Sequence, residues 1–183
     1  QQCQGVTAQP YSGGITTFLY KFNAQGELQY IKPIGVNFYP LNLQVGENDN
    51  LYLLGALWGN STLIVDGVTI NGISDRNYIL KFGPNGNLLW HVPNNVSFGG
   101  YSYACMLQYH NNHIYFQTSN LSVSKLDTAG QYVSTLTADV FTPSTAINGI
   151  YFKGSGVFSN GDLFFTAVSR GTLTYGSTTL NPV

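Results

Sequence analysis

The alternation of apolar and polar positions predicts a β-hairpin that occurs three times in this chain. The clearest copy, Tyr78 to Val92, reads YILKFGPNGNLLWHV, in which two apolar runs flank a Gly-Pro-Asn-Gly turn cluster. The other copies read FLYKFNAQGELQYI, from Phe18 to Ile31, and LSVSKLDTAGQYVSTL, from Leu121 to Leu136. A constant offset of five residues separates a lysine from a turn glycine in each copy, which indicates an internal repeat. The three pairs are Lys21 and Gly26, Lys81 and Gly86, and Lys125 and Gly130.

A second strand pair also occurs three times, around turns rich in Asn, Asp and Gly. The strand after the turn begins NDNLYLLG, NNHIYFQT or NGDLFFTA, and Leu51, Ile114 and Leu163 align in these segments. Gly and Pro punctuate short apolar runs throughout, and no segment has a helical period. The sequence therefore predicts an all-β chain.

Other segments are predicted to connect these strands. Asn37 to Tyr39 and Asp139 to Thr145 are interpreted as connections, and the turn in the second copy of this strand pair is expected at His110 to Asn112. The longer connection Trp58 to Arg76 contains Asp66-Gly67, which predicts a two-residue hairpin turn because type I′ turns need positive φ at both central residues. The final segment GTLTYGSTTL repeats this insertion hairpin, with its turn expected at Tyr175-Gly176.

Together these units predict β-propeller blades of four antiparallel strands, here named A to D in chain order. A and B flank the Asn-rich turn, and C and D form the hairpin with the lysine. A unit of four antiparallel strands and about 45 to 60 residues, repeated along a chain, is typical of a propeller blade. We expect one propeller domain over 1–183, with a tail or loop remnant at 1–14, a C–D hairpin at 15–36, complete blades at 37–92 and 93–136, and A–B strands with an insertion hairpin at 137–183.

The blade resembles the SBBP-type β-propeller repeats of secreted and cell-surface bacterial proteins. The resemblance rests on the B strands NDNLYLLGALWGN and SNGDLFFTAVSRG, the insertion hairpins LIVDGVTI and LTYGSTTL, and the C–D unit NYILKFGPNGNLLW. It implies an extracellular propeller that is often one module of a longer protein, and it implies no particular ligand or reaction. Closed propellers have about four to eight blades, so we expect an incomplete ring. The remaining blades would belong to a longer chain or to a second copy.

The composition argues against two kinds of environment for this chain, a nucleic-acid surface and the interior of a membrane. Charged residues make up only 8% of the chain and the net charge is −1, which argues against a nucleic-acid surface. The apolar runs are all shorter than the ~18 residues of a membrane span. A weakly charged, aromatic-rich chain favours an extracellular or cell-surface location.

Strand alternation predicts where a binding site would lie. The A–B and C–D turns are short and share one face, whereas the long B–C and D–A connections share the other face, where loops on a rigid scaffold usually bind partners. We therefore predict an adhesion or binding module for a glycan or a protein. Tolerated insertions, with aromatic rings packed between blades, are the alternative. The candidate ligand-binding residues are Trp58, Asp75, Arg76, Tyr101 and Tyr103.

Catalytic, metal and cofactor sites are not predicted. His110 and His113 have the spacing of a ligand pair, but no third ligand is nearby in the sequence, and no nucleophile–base arrangement can be argued. The repeated lysines suggest a shared structural role, with their stems covering an apolar blade edge. For Cys3 and Cys105, a disulfide and a buried free thiol at Cys105 both stay open. A structural component of a surface or secretion assembly, or a non-catalytic part of a larger secreted enzyme, is the alternative function.

Overall fold

A computed structural model describes ten segments of the chain, and within them the protein is all-β, as the sequence predicts. The described residues are 2–3, 6–57, 62–71, 76–97, 106–119, 122–137, 142–143, 150–169, 173–175 and 178–180. The chain divides into two compact units, Gln1–Ser97 and Phe98–Val183, here called unit 1 and unit 2. Their strands form small antiparallel sheets, and none of the sheets built from described residues closes on itself.

The described residues of unit 1 form ten strands and a 3₁₀ turn at Glu47–Asp49. The strands are β1 (Gln2–Cys3), β2 (Val6–Thr7), β3 (Thr16–Phe22), β4 (Leu28–Val36), β5 (Phe38–Val45), β6 (Leu51–Leu57), β7 (Thr62–Val65), β8 (Val68–Asn71), β9 (Arg76–Phe82) and β10 (Leu88–Ser97). Unit 2 contains β11 (Leu107–His110), β12 (His113–Ser119), β13 (Ser122–Asp127), β14 (Tyr132–Thr137), β15 (Thr142–Pro143), β16 (Ile150–Val157), β17 (Leu163–Ser169), β18 (Leu173–Tyr175) and β19 (Thr178–Leu180).

Each unit has one four-stranded sheet whose strand order follows the chain. The sheet of unit 1 runs β5-β6-β9-β10, and that of unit 2 runs β11-β12-β13-β14. The hairpins β3–β4 and β16–β17 form two-stranded sheets of their own. The three predicted C–D hairpins and the three predicted A–B pairs are therefore all present as antiparallel pairs.

Strand boundaries differ from the prediction where a residue's local preference is overridden by packing. Asn37 to Tyr39 was expected to be a connection, but only Asn37, with φ 53°, separates β4 from β5. Phe38 joins the strand because its ring is buried against Gly55, where any Cβ would collide with it. The second predicted blade was expected to end at residue 92, yet β10 continues through Pro93 to Ser97. This is possible because β10 is an edge strand of its sheet. Proline has no N–H, and on an edge strand this need not leave a carbonyl oxygen of a neighbouring strand without its hydrogen bond.

Three further boundaries are corrected in unit 2. His110 was placed in a turn but ends β11 opposite His113, and Asn111 and Asn112 both take positive φ in a tight turn. Tyr175 was placed in the second insertion turn but ends β18 opposite Thr178. Within the expected connection Asp139 to Thr145, the short strand β15 pairs with β18, so this part of the segment joins a sheet.

The insertion hairpin of unit 1 is part of the core. Asp66 and Gly67 take φ values of 49° and 75°, which confirms the predicted type of turn. Leu63, Val65 and Ile70 of this hairpin are buried with residues of β3, β4 and the four-stranded sheet. The core cluster comprises Leu19, Ile34, Phe38, Leu53, Leu57, Leu63, Val65, Ile70, Tyr78, Leu80 and Phe82.

Gly35 lets the insertion hairpin approach strand β4. Its φ is +62°, and a Cβ built there would collide with the Leu63 side chain. Gly67 has a similar φ of +75°, but a Cβ there would meet nothing within 4 Å. The two glycines therefore share one backbone requirement and differ in the space around them.

We expect Gly35→Ala to destabilise the protein more than Gly67→Ala. Both substitutions carry about 1–2 kcal/mol of backbone strain, and Gly35→Ala adds about 1–3 kcal/mol because Leu63 must move. The measurement is the free energy of unfolding in urea for each variant and the wild type. Equal costs for the two variants would show that the insertion hairpin does not pack against β4 as described.

Candidate functional site

Most of the predicted site residues lie outside the described part of the chain. Arg76 is described as the first residue of β9, and Cys3 lies in β1 opposite Val6. The pairing of Cys3 with Cys105 stays a prediction. The predicted site residues outside the described segments are Trp58, Asp75, Tyr101, Tyr103 and Cys105.

Arg76 lies at one end of the four-stranded sheet of unit 1, together with the ends of the other three strands. Leu57 pairs with Arg76 on one side and with Phe38 on the other, and Ser97 also pairs with Arg76. We call this end, defined by Phe38, Leu57, Arg76 and Ser97, the loop end. In the sequence, Trp58 follows Leu57 and Asp75 precedes Arg76 directly, so the candidate residues flank these strand ends.

The short turns lie at the opposite end of the same sheet. Val45 pairs with Leu51, Leu51 with Phe82, and Phe82 with Leu88. We call this end, defined by Val45, Leu51, Phe82 and Leu88, the turn end. The prediction that the A–B and C–D turns share one end of a sheet is confirmed here.

The prediction that every long connection lies at the loop end is wrong for the insertion hairpin β7–β8. The Asp66 carboxylate at its tip accepts a hydrogen bond of 2.6 Å from the backbone N–H of Leu88, at the turn end. Asp66 also forms an ion pair of 3.0 Å with Lys32 of β4. The hairpin folds back along the sheet because its apolar side chains are buried in the core. Within the Trp58 to Arg76 connection, only the flanks of this hairpin are left for a site.

Two of the repeated lysines lie over an aromatic ring of the neighbouring B strand. Lys81 pairs across the strands with Tyr52, and its Nζ is 5.2 Å from the centre of that ring. Lys125 pairs in the same way with Tyr115, at 5.5 Å. Lys21 instead donates a hydrogen bond of 2.8 Å to the carbonyl oxygen of Pro84. Lys81 and Lys125 therefore share a cation–π contact, which is stronger when the cation is desolvated. Lys21 has a different contact, and the predicted covering of an apolar blade edge by the lysine stems stays a prediction.

Lys81 is also the cation of a largely buried polar cluster. Its Nζ donates to Glu47 Oε1 at 2.6 Å, and the hydroxyl of Tyr52 donates to both oxygens of Glu47 at 2.8 and 2.9 Å. Asn50 completes the cluster at 3.3 Å from Glu47 Oε1. This carboxylate therefore ties the A–B turn to strands B and C, which is a structural role.

The surroundings of Glu47 lower its pKa. Burial alone would raise the pKa of this carboxyl, but hydrogen bonds from Lys81, Tyr52, its own backbone and Asn50 favour the charged form more strongly. Burial also raises the pKa of Tyr30 and lowers that of His91, without a charged neighbour as a cause. Desolvation is therefore the cause of the pKa shift of each of these two rings.

The histidine pair does not assemble a metal centre among the described residues. His110 and His113 face each other across β11 and β12, and His113 Nδ1 lies 2.7 Å from the Asn111 carbonyl oxygen. Within the described segments, no group of three or more His, Cys, Asp or Glu side chains could hold a metal ion. Those segments also contain no helix long and apolar enough to cross a membrane.

An exposed aromatic row on β3 was missed by the sequence reasoning. Phe18, Tyr20 and Phe22 share one face of the strand, with ring centres 6.3 and 6.5 Å apart. Tyr20 is 39% exposed and Phe22 51% exposed, whereas Phe18 packs partly against Ala8, Leu28 and Ile31. The signal was present, because aromatic residues at every second position of FLYKF must share a face.

In comparisons with protein-family models and with curated proteins, no family model and no curated protein matches this chain. The functional interpretation therefore depends on the geometry of the described residues and on the sequence pattern.

We expect Lys81→Met to cost about 1–3 kcal/mol of folding stability, because it leaves the half-buried Glu47 carboxylate without its cation. Lys32→Met is the matched control. Its ion pair with Asp66 is more exposed, at 30% and 32% side-chain exposure, and should contribute less than about 1 kcal/mol. Urea denaturation of both variants measures the difference. A larger loss for Lys32→Met would contradict the assigned role of the cluster.

We expect acid to destabilise the protein partly through Glu47. Its pKa is lower in the folded protein than the ordinary value of 4.5, so the unfolded chain binds the proton first. The stabilisation is complete above about pH 4.5 and is lost as the pH falls through the folded-state pKa.

The measurement is the free energy of unfolding between neutral pH and pH 3 for wild type, Glu47→Gln and Glu27→Gln. Glu47→Gln should be less stable at neutral pH and should lose less stability on acidification. The exposed Glu27 provides the matched Glu→Gln control at the surface. Identical profiles for wild type and Glu47→Gln would contradict the pKa assignment.

Proposed function

We propose that this chain is part of an extracellular, non-catalytic binding or adhesion module built from propeller blades, and that its loop end contacts a glycan or another surface protein. The observation that supports the site is the strand register that brings Leu57, Arg76 and Ser97 to one end of a rigid sheet. Loops carried by a rigid scaffold are common binding sites.

The blade interpretation is supported by the two four-stranded sheets. Both have strand order A-B-C-D, and both join B to C with the same cross-strand pairing of an aromatic residue and a lysine. This order is what a propeller blade requires. The low charge of the chain and its resemblance to SBBP-type repeats support the extracellular location.

The predicted ligand-binding residues are of types that suit a glycan or a protein surface. Trp58, Tyr101 and Tyr103 offer flat apolar area with a polar atom at the rim, and Asp75 and Arg76 offer charged hydrogen-bonding groups. Tyr, Trp and Arg are also the residues that contribute most in protein interfaces. We propose that these side chains anchor the contact.

A structural component of a surface assembly is the second candidate, and the aromatic row on β3 favours it. Phe18, Tyr20 and Phe22 present aromatic side chains on one face of β3, and such an apolar face is a candidate surface for assembly. The other alternative is that this chain is a non-catalytic part of a larger secreted enzyme. The full-length gene tests this alternative, because a catalytic module encoded beside these repeats would favour it.

We expect Trp58→Ala, Tyr101→Ala and Arg76→Ala to weaken partner binding by about 1–3 kcal/mol each if these residues are interface anchors. The measurement is a binding screen against glycans and cell-surface extracts, followed by titration of each variant against the ligand found. Asn85→Ala and Thr128→Ala, in C–D turns, are the controls and should change binding little.

Equal losses from the variants of the predicted site residues and from the turn variants would reject the proposed site, as would losses explained wholly by unfolding in a parallel denaturation experiment. Phe22→Ser separates the two candidate functions. It should leave binding at the loop end intact, and it should impair assembly if the aromatic row is an assembly surface.

A further inference from the structure

The polar cluster around Glu47 brings an amine and a carboxamide to the same carboxylate oxygen. Lys81 Nζ donates to Glu47 Oε1 at 2.6 Å, and Asn50 Nδ2 donates to that same atom at 3.3 Å. Both side chains are shielded from water, since Lys81 is 7% exposed and Asn50 is 9% exposed. An amine, a carboxamide and a carboxylate that carries protons between them are the groups needed to form an amide bond between two side chains.

The strand register places the two reacting side chains on one face of the sheet. Asn50 has an extended backbone, with φ −68° and ψ 146°, and directly precedes β6. It therefore shares a face with Tyr52, two positions along the chain, and Tyr52 pairs directly with Lys81 of β9. Asn50 and Lys81 are then diagonal cross-strand neighbours, and a long lysine side chain can span that separation.

The A–B turn keeps Glu47 and Asn50 next to each other. Asn48 and Asp49 between them both take positive φ, 52° and 59°, a backbone conformation that residues with a side chain rarely adopt. The Asn50 N–H also donates a hydrogen bond of 3.0 Å to the Glu47 carbonyl oxygen. The carboxylate and the carboxamide are therefore held in place before any reaction.

We propose that Lys81 and Asn50 become joined by an amide bond between Nζ and Cγ, with Glu47 as the proton carrier. Glu47 Oε1 takes a proton from the Lys81 ammonium, and the neutral amine attacks Asn50 Cγ. The bond between Cγ and Nδ2 then breaks. Nζ gives up two protons in all, and both leave with the Asn50 nitrogen as ammonium, so Glu47 is a carboxylate again. The reaction needs no oxidant and no second protein.

The ion pair of Lys81 and Glu47 is the reactant of this step. The lowered pKa of Glu47 keeps the pair mostly charged, so the neutral amine is a minor species and the bond forms slowly, once in each chain. The fixed positions of the reacting groups favour the step, because no separate encounter is needed. The stability predictions for Lys81 and Glu47 given above refer to the unreacted protein.

Unit 2 provides an internal comparison. Lys125 lies over an aromatic ring of β12, as Lys81 lies over an aromatic ring of β6. The residue directly before β12's Ile114 is His113, where unit 1 has Asn50, and the turn between β11 and β12 contains no Asp or Glu. Lys125 therefore has neither the carboxamide nor the proton carrier, and the bond is confined to unit 1.

The bond would fasten the A–B turn to strand C covalently. It closes a loop from Asn50 to Lys81 that contains β6 and the insertion hairpin, and such a closure restricts the unfolded chain in the way that a disulfide does. This inference does not depend on the proposed binding function, because it concerns the turn end of the sheet and no partner.

Peptide mapping by mass spectrometry of the purified chain tests the bond. Trypsin cleaves after Lys and Arg but not before Pro, so the unlinked chain gives the peptides 22–76, 77–81 and 82–125. The amide blocks cleavage after Lys81 and joins 22–76 to 77–125 as one branched peptide, lighter than their sum by one ammonia. The branched peptide is decisive, whereas intact mass is not, because terminal glutamine and Asn-Gly sequences also lose ammonia.

Three variants assign the roles of the residues. Lys81→Arg keeps a cation beside Glu47 but removes the nucleophile, so it should give no branched peptide, and Lys125→Arg is the matched control that should keep the wild-type amount. Glu47→Gln keeps both reacting groups and removes the proton carrier, so the bond should form about 100-fold more slowly or less. Circular dichroism of each variant checks that it is folded.

The proposal would be overturned by folded wild-type protein that gives no branched peptide after prolonged incubation, and this result does not depend on how any variant folds. A branched peptide that joins Asn50 to Lys125 would also overturn it. Equal rates of bond formation in the wild type and in folded Glu47→Gln would reject Glu47 as the proton carrier.

Discussion

The register between strands B and C is the constraint on which the rest of unit 1 depends. Leu53 and Leu80 are cross-strand partners in β6 and β9, and both are buried in the core. A slip of one residue would turn every such side chain to the opposite face, so the core and the register specify each other. On the other face of the same pair, Tyr52 and Lys81 would also lose their contact with Glu47.

This register also decides what lies at each end of the sheet. Because Leu57 is held opposite Arg76, the connections next to the candidate binding residues leave from one end. Because Leu51 is held opposite Phe82, the short turns collect at the other. The insertion hairpin is the exception, because its apolar side chains stabilise the fold more when they are buried in the core than when they are exposed at the surface. Burying a Leu or Val side chain contributes about 1.5–3 kcal/mol, so the hairpin folds against β4 even though its connection starts at the loop end.

The features that could be predicted from the sequence are those that depend on neighbouring residues. Asp66-Gly67 predicts its turn because the backbone angles are a property of those two residues, and the alternation in YILKF predicts its strand. The extension of strands through Phe38 and Pro93 could not be predicted in this way. Phe38 is in a strand because Gly55 leaves space for its ring, and Pro93 is in a strand because β10 is an edge. Both causes lie in residues distant in sequence. The fold-back of Thr62–Asn71 belongs to the same class, because it depends on the positive φ of Gly35 and on the space beside it.

The repeated lysine shows how much of a residue's role the sequence spacing can predict before the contact partner of its side chain is known. Spacing alone indicated a shared role, but the partner lies on the B strand, which belongs to a different repeat element, so the contact with Tyr52 or Tyr115 emerged only from the pairing. Lys21 has the same sequence environment and a different neighbour, the Pro84 carbonyl oxygen. The difference follows from topology, because β3 has no described B strand beside it.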